Sequence, residues 1–300
     1  MISNLKKKIS LKLFGRRKPL KYILFDKLYS ILILQKKNIS QFVNDFDKNG
    51  FVRINPDISL DIEDLKKKLI IQNNYGDNKN TNGEKELSNK PPYYFEINDN
   101  VRQSVDSILD KLNRKYISFF KEYFNSEILP AYVCIRRNVY YEKKNLDEEL
   151  FNDNFHNDGY LFTHFKLFLN LQDTYEKNGP MRIVAKNNTK KFLKKINFVD
   201  RKKYLDKDDE FIFKNVGKLG DGLIFDPTNC FHRASMPEKN YKRDYVIITY
   251  VCVPKDDKYL KYTDLFTYKN NPLLKLSKPT KLNETLQLLV NFYKKRFNHS

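Results

Sequence analysis

Five short runs with β-strand character, which recur between residues 131 and 253 without a long helix between them, constrain the fold most. In residues 166–171 every second residue is leucine, so the leucines share one face of a strand, and the residues between them, beginning with Lys166, share the other. The pattern predicts an antiparallel sandwich or barrel whose mouth is lined by that second face. The five runs are residues 131–141, 166–171, 181–185, 222–225 and 245–253.

Helical patterns flank these runs on both sides. Residues 101–124 place apolar side chains three and four positions apart, which predicts an amphipathic helix that packs on the sheet. An earlier helix, from residue 39, is expected to end at Asn49-Gly50, because glycine tolerates the left-handed conformation of a helix C-cap. The remaining expectations are a strand at 51–54, a helix at 62–72, an exposed loop at 73–92 and a C-terminal helix at 283–296.

The chain is strongly basic, with 56 Lys and Arg against 37 Asp and Glu and a formal net charge of +19. Such a charge suits nucleic acid, an anionic membrane surface or acidic substrates. We interpret it instead as compositional bias, because Lys, Asn and Ile are plentiful throughout the chain. A functional polyanion site is the open alternative, and nucleic acid is not favoured as a partner.

Residues 1–37 form a basic N-terminal segment in which lysine and arginine alternate with apolar residues. Two interpretations stay open, namely a helix packed on the domain and a helix that contacts a membrane surface peripherally. The early apolar stretch at 22–34 is too short to span a bilayer and has no cleavage site after it. The three cysteines, Cys134, Cys230 and Cys252, form no CxxC pair, so we expect neither disulfides nor a zinc ribbon and a cytoplasmic location.

Three residues carry the pattern of a metal site. His156 and Asp158 are two positions apart, so in an extended segment they project to the same side and can bind one ion together. His232 follows the strand at 222–225 and a turn, where a sandwich can bring it opposite that pair. Two histidines and one carboxylate on one face are the ligands of non-haem iron(II) in oxygen chemistry. Taken alone, the His-x-Asp pair is better explained by a loop histidine beside a capping aspartate.

Arg243 lies 11 residues after His232, at the head of the last predicted strand. A hairpin would bring its guanidinium back toward the metal. The planar fork of arginine matches a carboxylate bidentately, so Arg243 is a candidate to hold the distal carboxylate of 2-oxoglutarate. The alternative interpretation is a surface arginine of a basic protein.

Several short motifs in one order give the chain a resemblance to the phytanoyl-CoA dioxygenase family over roughly residues 39–254. The motifs are Phe155-His156-Asn157-Asp158-Gly159, Asn178-Gly179-Pro180-Met181-Arg182-Ile183-Val184, Gly220-Asp221-Gly222-Leu223-Ile224-Phe225-Asp226 and Phe231-His232-Arg233, with Arg243 after them.

The resemblance implies a mainly β fold with flanking helices, a double-stranded β-helix or jelly roll. It also implies an oxygenase domain at 38–255, between the basic segment at 1–37 and a Lys-rich helical extension at 256–300. Iron(II) would be held by His156, Asp158 and His232, and 2-oxoglutarate by Arg243. Asn138 resembles a position that helps to hold this co-substrate, and a structural hydrogen bond is the alternative there.

The expected activity is that of an Fe(II)- and 2-oxoglutarate-dependent dioxygenase, which uses O2 to hydroxylate a small molecule, a lipid or a glycan-type metabolite and releases succinate and CO2. The alternative is a non-catalytic basic protein on an oxygenase-like shell, which binds nucleic acid or an anionic membrane. The chain departs from the family pattern at residues 185–189, after Val184, and at Ala234, where a serine is common. His164 is an additional histidine without an assigned role, and the sequence decides neither the substrate nor the oligomeric state.

Overall fold

A computed structural model describes residues 40–72, 75–79, 85–87, 91–142, 153–158, 164–195 and 211–254. The basic segment at 1–37, the extension at 256–300 and the predicted helix at 283–296 lie outside these residues. The three-part division of the chain therefore stays a prediction. Within the described ranges, every helix is too short or too polar to cross a bilayer.

Helices and strands follow one another in a mixed order before residue 126 and are mostly strands after it. The helices are α1 (Gln41–Asn49), α2 (Ser59–Lys68), α3 (Asp99–Leu112), α4 (Ser118–Tyr123) and α5 (Lys186–Lys195), with a π-helical turn at Asn113–Ile117 and a 3-10 turn at Glu176–Asn178. The strands are β1 (Phe51–Ile54), β2 (Ile71–Gln72), β3 (Tyr75–Lys79), β4 (Lys85–Leu87), β5 (Tyr93–Phe95), β6 (Ser126–Val139), β7 (His164–Asn170), β8 (Arg182–Val184), β9 (Ile212–Lys214), β10 (Gly222–Phe225), β11 (His232–Arg233) and β12 (Lys242–Pro254).

Seven strands form the large antiparallel sheet, in the order β1-β10-β7-β12-β6-β5-β2. The long strand β12 lies between β7 and β6 and pairs with both. Its register sets Tyr245 opposite Asn170 on one side and Arg136 on the other. Cross-strand partners point to the same face of a sheet, so these three side chains share one wall of the molecule.

The small sheet has the order β11-β8-β9 and packs face to face on the large one. Met181 and Ile183, in and beside β8, are buried against Leu223 and Phe225 of β10. A β-bridge between His156 and His232 adds the 153–158 segment to the edge of the small sheet. Two facing antiparallel sheets with this strand order form a double-stranded β-helix, so the predicted fold class is confirmed.

The outer face of the large sheet is covered by the helices. The alternate leucines of β7 are completely buried there, as the sequence pattern predicts. Phe165, next to them, stacks on Phe120 of α4 with ring centroids 4.7 Å apart. Helix α3 begins where the Asn98 side chain accepts a hydrogen bond from the Val101 amide, and the helical path continues through the π turn to Tyr123. The helix predicted at 101–124 is therefore confirmed with small changes at its ends.

Gly50 ends α1 and starts β1, as predicted. Its φ of 78° is in the left-handed region, and its amide donates to the Phe46 carbonyl at 2.7 Å. A Cβ on this residue would lie 2.4 Å from Sγ of Cys230. The glycine thus allows both the turn and the close approach of the loop that precedes His232.

Two sequence predictions in the N-terminal half were wrong in part. The helix predicted at 62–72 ends at Lys68, because Ile71 instead pairs with Phe95 and extends the large sheet. The exposed loop predicted at 73–92 contains two short strands, β3 and β4, which pair with each other.

After Val184, where the family resemblance gave no guide, the chain forms α5. Thr189 of this helix donates its hydroxyl proton to the Val184 carbonyl at 3.1 Å and accepts from the Phe231 amide at 2.9 Å. These bonds tie α5 to the small sheet beside the loop that carries His232.

Candidate metal centre

Backbone hydrogen bonds hold the two halves of the candidate site side by side. The His156 amide donates to the His232 carbonyl at 3.0 Å, and the His232 amide donates back to the His156 carbonyl at 2.9 Å. The Asp158 amide donates to the Pro227 carbonyl at 2.8 Å. Residues far apart in the sequence are therefore fixed by main-chain pairing, independently of their side chains.

The side chains of the predicted triad converge. The distances from Oδ1 of Asp158 to Nε2 of His156 and Nε2 of His232 are 3.8 Å and 3.7 Å. The candidate ligand atoms of the three residues all lie within 4.8 Å of one another. Within the part of the chain that the structure describes, no other group of three His, Cys, Asp or Glu residues is arranged in this way.

Both imidazole rings are oriented by backbone carbonyls. Nδ1 of His156 lies 2.8 Å from the carbonyl oxygen of Asn154, and Nδ1 of His232 lies 3.1 Å from that of Cys230. An Nδ1 proton donated to a carbonyl leaves Nε2 with its lone pair free, and this is the usual way in which a metal-binding histidine is held. Both Nε2 atoms face Asp158.

The surroundings keep His232 neutral. Burial lowers the pKa of His232 to about 3, and the nearby Asp158 carboxylate opposes that shift without overcoming it. The Phe225 ring meets the His232 ring edge to face, with centroids 5.0 Å apart. A neutral, buried imidazole is ready to donate its lone pair to a metal ion without first losing a proton.

Lys166 is a neighbour of the triad whose role the sequence pattern did not reveal. Its Nζ lies 2.5 Å from Oδ2 of Asp158, and the two side chains are only 15% and 13% exposed. The signal was present in the alternation of β7, which places Lys166 on the inner face, but the partner of the lysine depends on the tertiary structure.

The second predicted group, Arg243 and Asn138, lies farther along the same wall. These two residues are cross-strand partners on β12 and β6, and both are buried. Their link is Tyr245, whose hydroxyl is 3.2 Å from Oδ1 of Asn138 and whose ring contacts Arg243. The guanidinium carbon of Arg243 is 4.6 Å from the centre of the Tyr245 ring. Sequence reasoning did not identify Tyr245.

Three buried nitrogen atoms around Tyr245 make no hydrogen bond within the described structure. They are Nε of Arg243, Nδ2 of Asn138 and Nδ2 of Asn170. Each is a donor, and a buried donor without an acceptor costs about 1–3 kcal/mol. Among the described residues, no carboxylate pairs with Arg243, and its burial lowers the pKa of the guanidinium. The residues around Tyr245 therefore offer hydrogen-bond donors and positive charge to an anion.

A series of contacting aromatic rings connects the His-Asp-His triad with Arg243 and Asn138. Phe168 stacks on Tyr245 with centroids 5.7 Å apart and contacts Phe225, which in turn contacts His232. Contacting apolar rings thus link the triad to the residues around Arg243. His164 begins β7, and its side chain lies outside the description, so its role stays open.

No protein-family model matches the chain, and no curated protein does either. Among solved structures, the Fe-bound EctD of S. alaskensis is 11% identical, with a TM-score of 0.47 over 73% of this chain and 80% of its own. HygX from Streptomyces hygroscopicus, with nickel and 2-oxoglutarate bound, is 14% identical, with a TM-score of 0.46 over 73% of this chain and 89% of its own. The non-heme alpha ketoglutarate dependent epimerase SnoN from nogalamycin biosynthesis is 12% identical, with a TM-score of 0.44 over 70% of this chain and 82% of its own.

These similarities are too weak to place the chain in a family. The resemblance to the phytanoyl-CoA dioxygenase family stays a prediction, and the function has to be inferred from the residues of the site.

Proposed function

We propose that this protein is an Fe(II)- and 2-oxoglutarate-dependent dioxygenase that hydroxylates a small molecule and releases succinate and CO2. The observation that carries this proposal is a His-Asp-His triad on the same inner walls as a buried guanidinium that has no carboxylate partner among the described residues. Such an enzyme requires a metal ion with open coordination positions, which the triad would bind. It also requires a cation for the co-substrate, which the guanidinium would supply.

The triad fits the metal. Metal bonds of about 2.1 Å allow one ion to bind atoms that are up to about 4 Å apart. The two histidine nitrogens lie 3.8 Å and 3.7 Å from Oδ1 of Asp158, which meets this condition. Two imidazoles and one carboxylate are the ligand set of non-haem iron(II) sites that react with oxygen. His156, Asp158 and His232 would hold the ion.

The pocket around Tyr245 fits the co-substrate. A carboxylate offers about four acceptor positions, and the unpartnered nitrogens of Arg243, Asn138 and Asn170 offer donors. Arg243 would hold the distal carboxylate of 2-oxoglutarate and Asn138 would donate to it, while the 2-oxo acid end chelates the metal. Iron(II) with bound 2-oxoglutarate supplies the activation of O2.

The other side chains organise this chemistry. The backbone carbonyls of Asn154 and Cys230 keep the histidines in the tautomer that binds metal. Phe168 and Phe225 belong to one apolar cluster, and apolar surroundings would strengthen the electrostatic attraction between Arg243 and the co-substrate. Asp158 fills the carboxylate position, so hydroxylation is proposed rather than halogen transfer, which requires that position to be open.

A binding experiment with Mn(II), which is redox-stable in air, tests the metal site. Wild type should bind one Mn(II) per chain by calorimetry, and Asp158→Ala should weaken this binding at least 100-fold. Asp110→Ala is the matched control, since Asp110 is an exposed carboxylate on α3. Equal Mn(II) affinity of the wild type and Asp158→Ala would contradict the proposal.

The oxygen chemistry needs its own measurement. Wild type with Fe(II), 2-oxoglutarate and 18O2 should form succinate that carries one 18O atom, even without a substrate, although slowly. Succinate that contains no 18O, or a rate equal to that of Asp158→Ala, would exclude a dioxygenase reaction at this site.

A further inference from the structure

A second arginine, the half-buried Arg136, lies on the same wall and is not used by the proposed metal and co-substrate sites. It belongs to one cross-strand row with Tyr94, Tyr245 and Asn170, because β6 pairs with β5 on one side and with β12 on the other. Its side chain therefore points to the inner face that also carries Arg243 and Lys166.

The surroundings of Arg136 are aromatic and contain no carboxylate among the described residues. Its guanidinium carbon is 4.8 Å from the centre of the Tyr94 ring, and its Nε donates to Sγ of Cys134 at 2.9 Å. The ionisable groups beside it are the thiol of Cys134 and the hydroxyls of Tyr94, Tyr132 and Tyr245, and none of them is a carboxylate.

The neighbouring Arg137, unlike Arg136, has a carboxylate partner. It points to the opposite face and makes two hydrogen bonds to the Asp244 carboxylate, at 2.7 Å and 2.6 Å. Arg136 and Arg137 are consecutive in β6. The charge of Arg137, on the outer face, is thus compensated by a carboxylate, and the charge of Arg136, on the inner face, is not. A partly buried cation that no carboxylate compensates is costly unless a ligand supplies the charge.

The co-substrate does not account for both inner arginines. 2-Oxoglutarate has two carboxylates, one of which chelates the metal together with the 2-oxo group, so a single cation suffices for the other. Arg243 is the more deeply placed, only 3% exposed, and has Asn138 and Tyr245 as helpers. Arg136 is half-buried, and its partial exposure leaves it accessible to a second ligand.

We propose that Arg136 is a specificity-determining residue that binds an anionic group, a carboxylate or a phosphate, of the substrate. Tyr94, Tyr132 and Ile247 form the apolar wall against which the body of that substrate packs. The proposal rests on the proposed function in that it names the substrate class of the same site. The substrate is therefore an organic acid with an apolar or flat body.

Calorimetry with matched pairs of small molecules tests this assignment. The probes are phenylacetate against phenylacetamide, indole-3-acetate against indole-3-acetamide, octanoate against octanamide, and benzyl phosphate against benzyl alcohol. At least one anion should bind wild type at least ten-fold more tightly than its neutral counterpart. Arg136→Gln should abolish that difference, and Arg136→Lys should retain part of it.

Arg137→Gln is the matched control and should keep the preference for the anion, because its guanidinium is on the other face. The affinity for 2-oxoglutarate should change less than two-fold in Arg136→Gln. The assignment is overturned if no anion in the panel is preferred by wild type, if Arg136→Gln keeps the preference, or if Arg136→Gln weakens 2-oxoglutarate binding as much as Arg243→Gln does.

Each titration is made twice, once with Mn(II) and 2-oxoglutarate at saturation and once with neither. The anion preference at Arg136 can be measured in the metal-free protein. A failure of metal binding therefore remains distinguishable from a failure of anion recognition.

Discussion

The ammonium group of Lys166 lies 2.5 Å from Oδ2 of Asp158, while Oδ1 of the same carboxylate faces Nε2 of both histidines. The two oxygens of Asp158 thus have different partners. Lys166 fixes one of them, so that the other would be presented to the proposed metal ion as a single donor. The lysine also compensates the charge of a nearly buried carboxylate when no metal is bound.

Lys166→Met is expected to tighten the binding of Mn(II) by at least ten-fold. A unit charge about 5 Å from a divalent ion costs about 7 kcal/mol at an effective dielectric constant of about 20, which exceeds the loss of one orienting ion pair. Removal of the lysine also leaves Asp158 uncompensated in the metal-free protein. The difference in melting temperature between metal-free and Mn(II)-bound protein should therefore grow.

The matched control is Lys218→Met, which removes the exposed ion pair of Lys218 with Asp173. It should leave the Mn(II) affinity unchanged, because surface pairs contribute little and this one is not part of the site. Weaker Mn(II) binding in Lys166→Met would mean that orientation of the carboxylate outweighs charge repulsion.

Arg243→Gln is expected to weaken 2-oxoglutarate binding about 100-fold, or about 2.7 kcal/mol. The substitution removes the charge that pairs with the distal carboxylate and keeps a side chain of similar polarity. Titration of the Mn(II)-loaded protein with 2-oxoglutarate measures the change, and Arg53→Gln, at an exposed arginine of β1, is the control. An unchanged affinity for 2-oxoglutarate would assign this carboxylate to another cation.

The sequence was informative where a local pattern determines the structure. Alternation in β7, the glycine at position 50 and the helical periodicity at 101–124 each predicted an element that the structure contains. The convergence of His156, Asp158 and His232 was also predicted, because the order of the short motifs around them resembles that of a family with a jelly-roll fold.

Other features depend on contacts between distant segments and had no local signal. The partnership of Lys166 with Asp158 requires β7 to lie beside the 153–158 segment. The position of Tyr245 beside the candidate co-substrate residues follows from the register of β12, which sets it between Arg136 and Asn170. In the same way, Ile71 lies in a strand and not in the predicted helix, because it pairs with Phe95, a residue distant in the sequence.

Gly50→Ala is expected to destabilise the fold by about 2–4 kcal/mol, since a side chain at positive φ costs about 1–3 kcal/mol and overpacking a similar amount. The new Cβ would lie 2.4 Å from Sγ of Cys230. Urea denaturation measures the loss. Because the Cys230 carbonyl orients His232, the variant should also bind Mn(II) more weakly than wild type; full stability in Gly50→Ala would show that the turn rearranges at little cost.

The native protein should resist alkylation at Cys230 and Cys252. Burial raises the pKa of both thiols well above the usual range for cysteine, and both side chains are almost inaccessible to solvent. Iodoacetamide reacts with the thiolate, so at pH 8 the folded protein should leave these two residues unmodified for hours. In 8 M urea both should react within minutes, and peptide mass spectrometry distinguishes them from Cys134. Rapid labelling of Cys230 in the folded protein would mean that the loop between β10 and β11 opens, and with it the backbone support of His232.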